Sequence, residues 1–331
     1  MDETVAKYLA SLQMGIAVDV SGISIVPLLS TTTAEVDYIG FKTALSEDTF
    51  AVEELNEGGV VGFLRVVNSG LRHVLLLDGE ELSGAKQNRV LNTTILAAAN
   101  SHLAIPASCT EQGRWSYMSS QFAESFSVAP PRIRRSNQSA MADSLRHTGV
   151  LCSNQSEVWS RVREISDEAG VHSSTAAMRD IFEERLPILD EIVGRSTASV
   201  DQVGLVATVN GSVLGMDVIS RPEVYRLLHP KLARSYVLDA YLKRRTESAS
   251  HDASQIATGF IEAAMETLES RHQSVGLGYD HRYTGETMVG SALTHDNHLI
   301  HCAFFNVPPG EPSARASDGI AGHTHRRRFR M

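Results

Sequence analysis

Several things are scarce in this chain, and each absence closes a class of protein. It has only three cysteines in 331 residues, Cys109, Cys152 and Cys302. They are odd in number, far apart and without a CxxC pair, which excludes a disulfide framework and a cysteine zinc knuckle. A reducing, cytoplasmic setting fits that usage. No stretch approaches the roughly 20 consecutive apolar residues that a membrane helix needs. The first residues lack the basic start and long apolar run of a signal peptide. Positive charge is also in deficit, with 30 Lys and Arg against 39 Asp and Glu and a net charge of −9. Broad non-specific binding to nucleic acid or to an anionic membrane is therefore not expected, because both attract positive surfaces. The 13 histidines are scattered. No HExxH or two-histidine–carboxylate spacing appears, so no metal is expected. His295 and His298 flank a turn and face each other at best, while the odd offset of His301 sends it to the other side of a strand.

What is present reads as a soluble globular protein: 42% hydrophobic and 21% charged residues. The length suits one large domain or two ordinary ones. Residues 1–14 carry a helical spacing, with Val5, Leu9 and Leu12 on one side. Residues 15–115 are β-rich. Short apolar runs recur at about ten-residue spacing, among them Ile23 to Leu28, Val60 to Val67, Val74 to Leu77 and Val90 to Leu96. Turn signals such as Asn68-Ser69-Gly70 separate them. Such spacing without long helices predicts an antiparallel sandwich-like or barrel-like half rather than βαβ units.

Residues 116–150 have weak patterning and a basic knot, Pro130 to Arg135, and are read as a long loop or partly helical excursion. From about residue 154 the period becomes helical. Pro187 and Pro230 are expected to bend or split their helices. Asn210-Gly211 between two apolar runs predicts a tight hairpin, and Asp296-Asn297 a second. Residues 151–306 thus combine helices and hairpins, and residues 307–331 read as a disordered tail. The expected class is α+β: a sandwich-like N-terminal half, a helical segment, and C-terminal strands that rejoin the sheet, so that 15–306 forms one domain.

The densest polar chemistry lies in Asp78 to Arg89, entered from the strand Val74 to Leu77. Gly79 and Gly84 permit unusual backbone. Lys86 and Arg89 suit a phosphate or carboxylate, Arg89 with two parallel hydrogen bonds. Gln87 and Asn88 suit a base or sugar edge. Glu80 or Glu81 suits a ribose hydroxyl, a metal or general-base work. The GxxxxGK[ST] spacing of a Walker loop is absent. A second cluster, Ser108 to Trp115, contributes Glu111 and Arg114 as ligand groups or as an internal ion pair, and Trp115 to stack on a flat ligand or cap the core. Cys109 beside charged residues is a conceivable nucleophile, although buried cysteines are usually inert. Asp280 to Tyr283 follows a Gly-x-Gly, which suggests a close backbone approach or an ordinary turn. Arg221 reads as a clamp or a solvated side chain, and Arg234 as a partner for Asp239.

Two such clusters at strand tips imply one site for a small anionic, nucleotide-like ligand. Glu80 and Glu111 are its candidate catalytic groups, and Lys86, Gln87, Asn88, Arg89, Arg114 and Trp115 its candidate ligand contacts. The other reading is a non-catalytic interaction module in which the same residues form an internal polar network. The residues name no cofactor, which stays unknown, and whether the chain is an enzyme stays open between the two readings.

The runs GEELSGAKQNRVLN, ASCTEQGRW and QVGLVATVNGSVLGMDVISRPEVYRLLHPKLARSYVLDA, with the late segment from Gly290 to Phe305 that includes His301, resemble the ARG and rhodanese-phosphatase-superfamily associated protein domain. The resemblance spans nearly all of residues 15–306 and covers Glu80, Lys86 to Arg89, Glu111, Arg114 and Trp115. It implies the company of ADP-ribosylglycohydrolases and phosphatase-like proteins, hence a role near ADP-ribose or nucleotide metabolism.

Overall fold

The computed structural model describes residues 1–32, 35–56, 58–244 and 251–310. Residues 311–331, most of the expected disordered tail, lie outside the described residues. The fold is α+β, with helices and almost entirely antiparallel sheets. A nine-stranded sheet runs in the order Gln13–Met14, Ile23–Leu29, Gln202–Val209, Ser212–Ile219, His298–Asn306, Met288–His295, Tyr279–Thr284, Leu268–Gln273, with Val18–Val20 added beside Ile23–Leu29. A six-stranded sheet runs Phe122–Val128, Glu80–Gly84, Arg89–Leu91, Ser101–Cys109, Phe63–Asn68, Phe50–Glu54. Three short strands, Ile95–Ala97, His73–Leu76 and Tyr38–Gly40, form a third sheet that contains a parallel pair. The C-terminal strands do join an N-terminal strand, Ile23–Leu29, through the Gln202–Ile219 hairpin.

The large sheet is covered on both faces, which explains why Gln202–Val209 is buried at every residue. Ile25, Leu205, Ala303 and Phe305 pack with the helices Gln155–Ala169, Met178–Val193 and Pro222–Lys243. Their neighbours of opposite parity, Val26, Val206, Cys302 and Phe304, pack with Glu3–Ala10 and Ala253–Met265. Both hairpin expectations hold. Asn210 and Gly211 take φ of 49° and 76°, and Asp296 and Asn297 take 48° and 61°, as a two-residue turn requires.

Two expectations need correction, and the close backbone approach suggested by Gly276-Leu277-Gly278 is found. Residues 116–150 follow the partly helical reading and not that of a long loop: they contain the strand Phe122–Val128 and the helix Pro131–Thr148, opened by proline and closed by Gly149 at φ 72°. This helix buries Arg132, Arg134, Arg135, Asn137 and Gln138 along with Ile133, Met141 and Leu145, so polar residues interrupt the apolar stripe on its inward face. Pro187 and Pro230 do not split their helices, which run unbroken over Met178–Val193 and Pro222–Lys243 because both are held by packing. The stretch after Gly276-Leu277-Gly278 is a strand, Tyr279–Thr284, and its glycines approach this chain's own backbone. A Cβ at Gly276 would meet the Leu96 carbonyl at 2.3 Å, and one at Gly278 the Thr294 carbonyl at 1.9 Å.

Candidate functional site

The two polar segments do meet, because strand pairing brings them together. Glu81 pairs with Val90 and Leu82 with Arg89 in one hairpin. Cys109 then pairs with Arg89, and Ser108 with Val90. At the hairpin tip Gly84 and Ala85 take positive φ of 115° and 40°. A Cβ on Gly84 would lie 2.5 Å from the Ser119 hydroxyl.

Most of the charge in this junction is turned inward. Arg89 is fully buried. Its Nη1 donates to Cys109 Sγ at 2.8 Å and its Nη2 reaches both Glu54 oxygens at 3.4 Å. Glu111 Oε2 accepts from the Asn88 amide at 3.2 Å and from Arg114 Nε at 2.9 Å. Arg114 also donates to the Ala85 and Ser116 carbonyls at 2.9 and 3.0 Å and to Asn88 Oδ1 at 3.2 Å. Burial alone raises the Glu111 carboxyl, but the hydrogen bonds from Arg114 and Asn88 bring it below the ordinary value, which suits a structural anion better than a general base. Glu80 is buried, accepts the Leu77 amide at 3.2 Å, and pairs with Lys231. Glu81 is wholly buried and accepts from the hydroxyls of Thr110, Ser125 and Ser127 at 3.0, 3.0 and 2.5 Å, while burial pushes its carboxyl up. Burial also pushes the Cys109 thiol up despite Arg89, so the thiolate that a nucleophile needs is disfavoured.

Only the rim of the junction faces water. Trp115 and Tyr117 are half exposed. Lys86 Nζ lies 5.5 Å from the Trp115 ring centre and 4.8 Å from that of Tyr117, and donates to the Gly58 carbonyl at 2.7 Å. Gln87 is buried, and its Oε1 has no hydrogen-bond partner.

Beside this junction, on the far side of Glu80, lies a cleft of about 430 Å³ that sequence reasoning missed. Lys42, Arg179, Lys231 and Arg234 line it, with Glu124 as the lining carboxylate and Ser125, Phe126, Leu227 and Pro230 between them. Lys231 is almost wholly buried and bridges Glu80 and Glu124. Burial pulls its ammonium down, but the two carboxylates more than offset this and hold it charged. Arg234 pairs with Asp190 at 2.6 Å, not with the expected Asp239, and Arg179 with Glu183 at 2.6 Å; both acceptors are nearly half exposed. Asp239 instead accepts from Arg132 at 2.5 Å. The cleft's four cations come from three helices, so no local motif announced them. Arg221 is tied to Asp37 at 2.6 Å and to Glu223.

A third polar group is buried where helix Pro131–Thr148 meets the large sheet. Arg134 donates to both Asp217 oxygens at 2.7 Å and to Asp78 at 3.3 Å. Tyr236 donates to Asp217 at 2.7 Å. His301 bridges Asp217 at 3.0 Å and the Thr94 hydroxyl at 2.8 Å. Burial would raise the Asp217 carboxyl, but Arg134 and His301 hold it at about 2. Gly79 is glycine for this reason: a Cβ there would lie 2.6 Å from Arg134 Cδ. The conspicuous glycine of the first motif therefore makes room for a buried arginine. A carboxylate within the all-buried end of Ser212–Ile219 was the one local hint of this centre.

A family model, the ARG and Rhodanese-Phosphatase-superfamily-associated Protein domain, matches residues 11–305. The chain belongs to this family. No curated protein and no solved structure matches the chain. The family's motif residues thus divide between the junction, its exposed rim and the buried centre. Among the described residues no helix is long and apolar enough to cross a membrane.

Proposed function

We propose that this domain binds a small anionic, phosphate-bearing ligand of nucleotide or ADP-ribose type in the cation-lined cleft beside Glu80. The two motif segments act as the rigid wall behind it. The observation that carries this reading is the convergence of Lys42, Arg179, Lys231 and Arg234 on one opening with a single lining carboxylate. A ligand phosphate can replace the exposed Asp190 and Glu183 as partner of Arg234 and Arg179 at small cost, since exposed ion pairs contribute little. Lys231 links the cleft to the motif residue Glu80. The family's association with ARG and rhodanese-phosphatase proteins is compatible with a phosphorylated ligand. The same reading takes 15–306 as one domain and places it in a reducing compartment, where its three free thiols persist.

A thermal-shift panel of nucleotides, ADP-ribose, NAD and pyrophosphate tests this. Ligand at one hundred times its dissociation constant should stabilise the fold by about 2.7 kcal/mol. The shift should vanish in Lys42→Ala/Arg179→Ala and persist in Trp115→Ala. Loss of the shift in Trp115→Ala alone would return the site to the rim of the junction, where the sequence put it.

The second reading, an interaction module stiffened by an internal polar network, is favoured by the partners of Arg89 and Arg114. It prevails if no ligand on the panel shifts the melting temperature.

A further inference from the structure

Far from that cleft, the start of the first helix comes down on the end of the large sheet. Asp2 caps helix Glu3–Ala10 through Oδ1, which accepts from the Thr4 and Val5 amides at 3.0 and 3.4 Å; Oδ2 is not part of the cap. Beneath it Glu269 pairs across the strands with Tyr283, and His281 lies two residues back on the same face. One ligand atom from each of Asp2, Glu269 and His281 falls within 4.8 Å of the others. Ligands about 2.0–2.2 Å from a common ion stand at most about 4.4 Å apart, so a small contraction closes the set.

Two further features point to a cation here. His281 is buried, with Nδ1 2.7 Å from Glu269 Oε1 and Nε2 2.7 Å from the Thr294 hydroxyl. When Nε2–H donates to Thr294, the Nδ1 lone pair is left facing the carboxylates, the arrangement by which an outer hydrogen bond orients a metal-binding imidazole. Tyr283, stacked on His281 with parallel planes and centroids 6.3 Å apart, is wholly buried, and its hydroxyl has no hydrogen-bond partner.

We propose that Asp2, Glu269 and His281 form a site for one divalent transition-metal ion that ties the first helix to the sheet. Two carboxylates and one imidazole suit Zn²⁺ or Mn²⁺. The site is independent of the anion cleft and stands or falls without it.

The test uses the full chain stripped with EDTA. A Cys152→Ser/His323→Ala/His325→Ala background removes the exposed thiol and two tail histidines that would bind metal on their own. Calorimetric titration with Zn²⁺ and with Mn²⁺, each alone, should show one saturable site for at least one ion and a rise in melting temperature on loading. Asp2→Asn keeps a good helix cap, so it should melt like its metal-free parent yet bind at least tenfold more weakly. Glu269→Gln and His281→Asn should do the same or abolish binding. Absence of saturable binding for both ions overturns the proposal. So does unchanged affinity in Asp2→Asn, whatever the other variants do.

Discussion

Arg134 and Arg234 are the same residue type, each paired with an aspartate at 2.7 and 2.6 Å respectively. Arg134 lies with Asp217 and Asp78 in solid protein; Arg234 lies at a cleft rim with an aspartate that is nearly half exposed. Attraction between unit charges grows as water is excluded, but so does the cost of losing one partner. A fully enclosed pair is therefore committed to the fold, while a rim pair can be exchanged for a ligand's charge. The junction of residues 80–89 and 108–115 behaves like the first case over most of its area and opens to water at Gln112, Gly113 and Trp115, with Tyr117 beside them.

The sharpest way to break this comparison is Asp217→Asn, which leaves the buried Arg134 guanidinium with Asp78 as its one remaining carboxylate. It should cost about 3–5 kcal/mol in urea unfolding, and a cost under about 1 kcal/mol would mean the centre is wetter than it looks. Next comes Arg89→Met, which leaves Glu54 unpaired inside the junction and should cost about 3 kcal/mol in the same measurement.

Acid should separate the regions too. Asp217 has its carboxyl depressed from 3.8 to about 2. A depressed carboxylate contributes stability that is present above its unfolded pKa and lost as pH falls through the folded one. That shift corresponds to about 2.5 kcal/mol, lost between about pH 4 and pH 2 in the wild type and missing from Asp217→Asn, as the difference between their pH–stability curves should report. Trp115→Ala, which removes a half-exposed ring over Lys86, should cost about 1 kcal/mol. The smallest effect belongs to the cleft: Arg234→Ala should change stability by under about 1 kcal/mol, while weakening any phosphate ligand found by thermal shift.

Much of this fold was legible where local chemistry decides structure. The hairpins at Asn210-Gly211 and Asp296-Asn297 follow from residues that tolerate positive φ. The helices from residue 155 onward follow from an apolar period of 3.6, and the antiparallel strands from their spacing. The meeting of 80–89 with 108–115 was also foreseen. What could not be read was the direction in which their charges point. A sequence lists Arg89 and Glu54 but not that they share a desolvated space.

Helix Pro131–Thr148 shows why. Beside Ile133, Met141 and Leu145 it buries Arg, Asn and Gln side chains, whose burial is favourable only because Asp78, Asp217, Asp239 and Asn92 arrive from distant parts of the chain to pair with them. Sequence alone determined the class of the fold, its turns and most of its helices, since these depend on neighbours within a few positions. Tertiary structure alone decided which charges are internal and which face water, because the energy of a charge depends on what surrounds it in space.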